Sequence, residues 1–202
     1  MNRREALQQV AWLMGGTISA PAVLGMLSGC SAHSDPAWTP VFLTQEQAAL
    51  VGDVAEIIIP RTDTPGAKDI GIPALIDRML KDVYPKADQD RFIAGLSDFV
   101  SQTRHHYKRG FAQLDRDTQV ATVRSATETA MAAERAHPGP ERLPRPFMLM
   151  TRELTLLGYF TSLPGSSQVL QYNPVPGPYR GCVPLAQAGN GKSWATEQAQ
   201  RF

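Results

Sequence analysis

The sequence predicts an all-α domain, a compact bundle of about five helices with an extended Pro/Gly-rich C-terminal arm. Apolar residues recur at helical spacing in five successive segments, and no alternating run typical of strands occurs. The last part of the chain differs, because residues 173–184 carry closely spaced prolines and glycines, which exclude both helix and central strand. We therefore assign residues 43–172 to a helical domain and residues 173–202 to an irregular arm.

The first two helices are predicted from their start signals. Thr44 can cap a helix and Gln47, three residues on, can reach back to it, and the apolar pattern stops before Pro60. A turn-rich loop follows, and Pro73 lies near the first turn of a second helix, where its missing N–H does no harm. The apolar face predicted for that second helix consists of Leu75, Ile76, Met79, Leu80 and Val83.

Three more helices complete the predicted bundle. The third runs from about Asp88 to Tyr107, and the fourth begins at Asp115 or Asp117, either of which can act as its cap. The fifth, residues 146–160, is apolar on most sides. A helix that is hydrophobic nearly all round belongs at the centre of a bundle, so we expect this segment to be surrounded by the other four.

Residues 1–30 are interpreted as an export signal and residues 31–42 as a tether. Arg3 and Arg4 precede a mildly apolar stretch that contains no charged residue, which is typical of a twin-arginine signal. An ordinary secretory signal with a chance arginine pair is the alternative. The stretch is too diluted by small residues for a stable transmembrane helix.

Leu27-Ser28-Gly29-Cys30 resembles a lipobox, in which the cysteine sulfur receives a lipid. We therefore expect Cys30 to be lipidated and the mature protein to be periplasmic and membrane-anchored. The alternative is simple cleavage nearby, with Cys30 lost or left as a free thiol.

Charge and cysteine content exclude several function classes. A net charge of +1 argues against a nucleic-acid binder, which needs a surplus of basic residues. Two cysteines exclude a four-cysteine zinc site and an iron–sulfur cluster. Cys182 lies in the C-terminal arm, where it either forms an intersubunit disulfide or is a buried, inert thiol.

No catalytic, cofactor-binding or metal site is assigned. Residues 186–193 match a loose phosphate-loop pattern, but Pro184 precedes them where a buried strand is needed, so we interpret the match as coincidence. His105 and His106 diverge on a helix and are interpreted as solvated. Asp63 and Asp69 lie among turn residues, where aspartate bonds to nearby backbone N–H groups.

Several stretches together resemble the gluconate 2-dehydrogenase subunit 3 family over about residues 44–194. The more specific ones are Thr62-Asp63-Thr64-Pro65-Gly66-Ala67 and Gly158-Tyr159-Phe160-Thr161-Ser162. The twin-arginine head, Gly71-Ile72-Pro73 with Ile76-Asp77, and Tyr172-Asn173-Pro174-Val175-Pro176-Gly177-Pro178-Tyr179 add to them.

The resemblance implies a non-catalytic small subunit of a periplasmic complex that oxidises sugars or alcohols. The family's large partner is a flavoprotein carrying FAD, often with a cytochrome c subunit that supplies haem c. The small subunit carries the export signal for the folded partner. Two rival classes stay open, a stand-alone periplasmic lipoprotein acting as a binding or scaffold module, and an enzyme with an unrecognised site.

We expect the partner to dock on the loop of residues 60–73 and on residues 158–182. Tyr159, Tyr172 and Tyr179 are expected to be exposed, and exposed aromatic side chains in turn and Pro-rich segments are typical of interfaces. The alternative for residues 158–162 is that they only end the central helix. The candidate partner-binding residues are Thr62, Asp63, Thr64, Pro65, Gly66, Gly158, Tyr159, Phe160, Tyr172, Pro176 and Tyr179.

Overall fold

The computed structural model describes residues 38–136, 144–172, 178, 181–184, 186, 187 and 191–193. Residues from Thr39 onward form one unit, and the preceding unit, residues 1–38, contributes only Trp38 to the described part. The described residues contain five α-helices and no strand, so the predicted all-α fold is confirmed. The helices are α1 (Gln45–Ile58), α2 (Ile72–Asp82), α3 (Lys86–Tyr107), α4 (Arg116–Arg135) and α5 (Phe147–Thr161).

The helix starts follow the predicted caps. Thr44 Oγ1 accepts a hydrogen bond from Gln47 N at 3.2 Å, and Gln47 Oε1 accepts one from Thr44 N at 2.9 Å. Asp115 caps α4, since its Oδ1 accepts from Thr118 N at 3.0 Å. Each cap pairs N–H groups that have no partner within the helix, and α1 and α4 therefore begin where the sequence predicts.

The central helix of the bundle is α5, as predicted from its apolar character. It contacts each of the other four helices, and most of its residues from Phe147 to Tyr159 are buried. The ring of Phe147 meets Phe92 of α3 edge-on, with centroids 5.0 Å apart. A Cβ at Gly95 would lie 2.7 Å from the Cβ of Phe147, so the glycine permits the close approach of α3 and α5.

The face of α2 that packs into the core differs from the predicted stripe. Ile76 and Leu80 are buried as predicted, but Leu75 is exposed and Val83 is 63% exposed. The buried face instead includes Ile72 and Asp77. The reason is the position of Asp77, whose carboxylate must face inward to accept backbone hydrogen bonds.

Those hydrogen bonds come from the start of the helical unit. The backbone N–H groups of Val41, Phe42 and Leu43 all donate to Asp77. Residues 41 and 42 were assigned to the tether, whereas the structure holds them against α2; residues 31–37 of that segment lie outside the described residues.

Candidate functional site

The loop that joins α1 to α2, residues 59–71, contains one of the two more specific motifs, residues 62–67. Glu56 of α1 accepts hydrogen bonds from backbone N–H groups on both sides of this motif. Glu56 Oε1 accepts from Arg61 N at 3.0 Å, and Glu56 Oε2 accepts from Lys68 N at 2.9 Å. One carboxylate thus joins both arms of the loop. A Cβ at Gly66 would lie 2.3 Å and 2.6 Å from the two Glu56 oxygens, so only glycine fits there without moving this carboxylate.

Asp69 also joins two parts of the same loop, through hydrogen bonds from Arg61 and Gly66. Its Oδ2 accepts from Gly66 N at 2.8 Å and from Arg61 Nε at 2.6 Å, and its Oδ1 pairs with the other end of the same guanidinium. The hydrogen bond from Arg61 lowers the pKa of Asp69, and the same contact raises the pKa of Arg61. The Arg61 side chain is 69% exposed and that of Asp69 is 26% exposed, so solvent screens the pair, which orders the loop more than it stabilises the fold.

The tip of the loop is formed by Thr62, Asp63 and Thr64. Thr62 N donates to Thr64 O at 3.0 Å, and Thr62 Oγ1 donates to Asp63 Oδ1 at 2.9 Å. Asp63 and Asp69 are both used inside the loop, as expected for turn residues. Thr62 and Asp63 are exposed, so the tip is available at the surface.

Tyr159 joins the loop to the end of α5. Its OH donates to Pro65 O at 2.8 Å and lies 3.5 Å from Thr64 Oγ1. The side chain is only 2% exposed, so the expectation that Tyr159 is an exposed aromatic was wrong. The reason is its place on the inner face of α5, one turn after Leu154 and Thr155, where the loop covers it.

Gly158 lets α5 approach α2 closely. A Cβ at this position would lie 2.3 Å from Leu75 Cδ2 and 2.9 Å from Ile72 Cδ1. The two sequence motifs are therefore neighbours in space, joined by Tyr159 on one side and packed through Gly158 on the other. We call loop 59–71 together with residues 158–162 the loop–helix corner.

Apolar side chains surround the end of α5 at the surface. Leu157 and Phe160 of α5 and Leu75 of α2 are all exposed, and Leu163, two residues after the helix, is 80% exposed. We call these four residues the apolar rim. The ring of Phe160 also meets the buried ring of Tyr159 edge-on, with centroids 5.4 Å apart, which ties the rim to the corner.

A single π-helical turn, Gly165–Val169, follows α5, and residues 192 and 193 of the arm contact it and the residues after it. Gln171 N donates to Ser193 O at 2.8 Å, and Lys192 Nζ donates to Gln168 O. The lysine of the phosphate-loop-like stretch thus contacts a backbone carbonyl. Tyr172 is exposed, as expected of a partner-binding residue.

Cys182 is exposed and has no disulfide partner within the described residues. The alternative that it is a buried, inert thiol was therefore wrong. Other candidate residues, namely Arg3, Arg4, Cys30, Pro176 and Tyr179, lie outside the described residues.

The described part of the chain offers neither a metal-binding cluster nor a membrane-spanning helix. His105 and His106 are exposed, as predicted, and the described residues hold no group of three His, Cys, Asp or Glu side chains suited to a metal ion. Within the same residues, no helix combines the length and the apolar character needed to cross a bilayer.

A separate cleft of about 1250 Å³ lies between α3 and α4. Its floor is formed by Phe147, Met148 and Leu149, and its α4 wall is made largely of small side chains such as Ala126 and Ala130. It shares no lining residue with the loop–helix corner or the apolar rim.

The sequence did not predict the roles of two buried or partly buried carboxylates, Glu56 and Asp77, that hold neighbouring segments in place. Glu56 lies in α1 among residues predicted only as a helix, and nothing in its spacing signals the loop 5 to 12 residues ahead. The sequence does contain an indication of the role of Asp77, because this charged residue lies between Ile76 and Leu80 on an otherwise apolar helix face. A buried charge in such a position needs partners, and that requirement could have pointed to its role.

A family model described as gluconate 2-dehydrogenase subunit 3 matches residues 45–177, which include both halves of the loop–helix corner. No curated protein and no solved structure matches the chain.

Proposed function

The chain belongs to the gluconate 2-dehydrogenase subunit 3 family, and we propose that it is the non-catalytic small subunit of a membrane-associated periplasmic dehydrogenase complex of this type. In this proposal it supports the export, assembly and stability of a larger catalytic subunit that carries FAD and oxidises a sugar or an alcohol. A cytochrome c subunit with haem c completes the complex where electrons pass to the respiratory chain.

The docking part of the proposal rests on the exposure of the apolar rim. Leu163 is 80% exposed, and Leu157, Phe160 and Leu75 are exposed beside it. Apolar side chains gathered at one place on a surface typically mark an interaction site, whereas isolated ones need no explanation. We infer that the catalytic subunit covers this rim and the neighbouring loop tip.

The rigidity of the loop–helix corner supports the same assignment. Glu56 and Asp69 close the loop from inside, and Tyr159 fastens it to α5. A surface that is already ordered loses little conformational freedom when a partner binds, so more of the contact energy appears as affinity. Exposed Thr62 and Asp63 then offer polar contacts at the edge of an apolar patch, which is the usual composition of an interface.

The export part of the proposal rests on the sequence. Arg3 and Arg4 form the twin-arginine head, and a twin-arginine pathway moves proteins that are already folded. A partner loaded with FAD in the cytoplasm would therefore be exported together with this chain. Lipid on Cys30, or the complex itself, would then hold the assembly at the membrane.

Affinity purification of the full chain from cells that contain the whole complex tests the proposal. We expect a yellow preparation with a flavin absorbance spectrum and a larger chain identified by mass spectrometry. The isolated subunit should not oxidise gluconate with a dye acceptor. A colourless, solitary protein would contradict the proposal and favour a stand-alone lipoprotein.

A matched pair of variants tests the docking surface within that experiment. Leu163→Asp places a charge in the apolar rim, and Val83→Asp makes the same change at the C-terminal end of α2, at a residue that is 63% exposed. We expect Leu163→Asp to raise the dissociation constant of the flavoprotein complex by tenfold or more, which is at least about 1.4 kcal/mol, and so to lower the amount of flavoprotein recovered. Equal recovery with both variants would exclude the rim as the docking surface.

A further inference from the structure

Asp77 is a fully buried carboxylate outside the loop–helix corner. It is 0% exposed, and both of its oxygens accept backbone hydrogen bonds from residues 34 to 36 positions earlier in the chain. Oδ2 accepts from Val41 N at 2.7 Å, and Oδ1 accepts from Phe42 N at 3.1 Å and Leu43 N at 2.7 Å. We call residues 41–43 the N-terminal strap.

This arrangement replaces the water that a carboxylate would otherwise need. A buried charge is tolerated only when hydrogen bonds or counter-ions compensate it, and the described residues give Asp77 no ion pair. Three consecutive N–H groups on one carboxylate provide that compensation as charge-assisted bonds. The strap also leads directly into the Thr44 cap of α1, where the positive end of the helix dipole favours a nearby anion.

We infer that Asp77 is a latch that fixes where the helical domain begins. The carboxylate belongs to α2 and the donors precede α1, so the bonds join the start of the helical domain to α2 across the whole length of α1. Leu43, the last residue of the strap, is buried, whereas Val41 is 52% exposed and donates its N–H to Asp77. The latch therefore orders Val41, whose side chain has little apolar burial of its own. This inference is independent of the proposed function.

Amide hydrogen exchange of the full chain with Asp77→Asn tests the latch. The remaining side-chain oxygen can still accept from Phe42 and Leu43, but the NH2 group that replaces the other oxygen cannot accept from Val41. We expect Val41 exchange to accelerate by tenfold or more, with a smaller change at Leu43 and none in the middle of α5. Asp82→Asn, an exposed residue of the same helix, should leave all of these rates unchanged.

Two results would overturn the inference. One is unchanged exchange at Val41, Phe42 and Leu43 in Asp77→Asn, and the other is equal acceleration in the strap and in the bundle core. If the variant fails to fold, scalar couplings across hydrogen bonds in the unaltered chain decide the question. Couplings from the amide nitrogens of Val41 and Leu43 to Asp77 Cγ are expected, and their absence would refute the latch.

Discussion

Glycine at position 66 is required by a side chain rather than by backbone conformation. A Cβ there would meet both oxygens of Glu56 and would also lie 2.8 Å from Arg61 N, so either the carboxylate or the loop must move. The same carboxylate receives the two N–H groups at the loop base. The glycine of the Thr-Pro-Gly motif and the glutamate of α1 are thus one structural unit, although they are ten residues apart.

Gly66→Ala is expected to lower the free energy of unfolding by about 1–3 kcal/mol, the usual cost of overfilling a packed site. Chemical denaturation measures the change. Gly110→Ala is the matched control, because its Cβ would find only Gln113 Oε1, at an ordinary 3.8 Å. Equal stability of the two variants would show that the Glu56 closure does not constrain the loop.

Asp69 gives stability a defined dependence on pH. Its pKa in the folded protein lies below the ordinary value of 3.8, chiefly because Arg61 donates hydrogen bonds to the carboxylate. Between the folded and unfolded pKa values the unfolded chain binds more protons, so stability rises with pH. The contribution is fully present above the ordinary value and is lost as pH falls through the lower folded value.

Melting temperatures measured from about pH 2 to pH 6 check this prediction. We expect Asp69→Asn to flatten part of the acid limb of the profile. Some slope should remain, because hydrogen bonds from Thr118 lower the pKa of Asp115 in the same direction. An unchanged profile in Asp69→Asn would contradict the Arg61 contact.

At the level of helices, the sequence predicted where each helix begins and ends better than it predicted which face of the helix is buried. Caps and breakers such as Thr44, Asp115 and Pro60 act through local hydrogen bonds and sterics, so their effect can be read from adjacent residues. The face of α2 depends on Asp77 finding donors 34 to 36 residues away, and the burial of Tyr159 depends on a loop that ends almost 90 residues earlier. Such long-range partners leave no periodic signal.

One arginine links the C-terminal end of α4 to α5. Only Val123 of α4 is fully buried, and Arg145 joins Glu134 near the end of α4 to Glu153 of α5. The arginine side chain is itself mostly covered, so this bridge is less screened than the exposed pairs.

Arg145→Ala should therefore increase amide exchange over the last two turns of α4, with a loss in the free energy of unfolding of about 1 kcal/mol. The control is Arg124→Ala, an exposed residue in the middle of the same helix. Increased exchange along the whole of α4 in both variants would mean that the bridge has no special role.

Across the whole molecule, the buried core and the C-terminal arm lie in different parts of the chain. All the buried apolar side chains of the described residues lie between Leu43 and Tyr159. After Gly165, none of the described residues is buried. The loop–helix corner was predicted as two separate motifs. Only the contacts of Tyr159 and Gly158 show that these motifs form one surface.

Deletion of residues 173–202 should separate the stability of the helical domain from its binding to the flavoprotein. The described contacts of the deleted segment with the domain are backbone or surface hydrogen bonds at Gln168 and Gln171, so we expect an unfolding free energy within about 1 kcal/mol of the full chain. Helical content measured by circular dichroism should be retained, while co-purification of the flavoprotein is lost. Because the deletion leaves the apolar rim in place, comparing it with Leu163→Asp in the full-length chain separates the contribution of the arm from that of the rim. Retained co-purification after the deletion would contradict this prediction and exclude the arm from the docking surface.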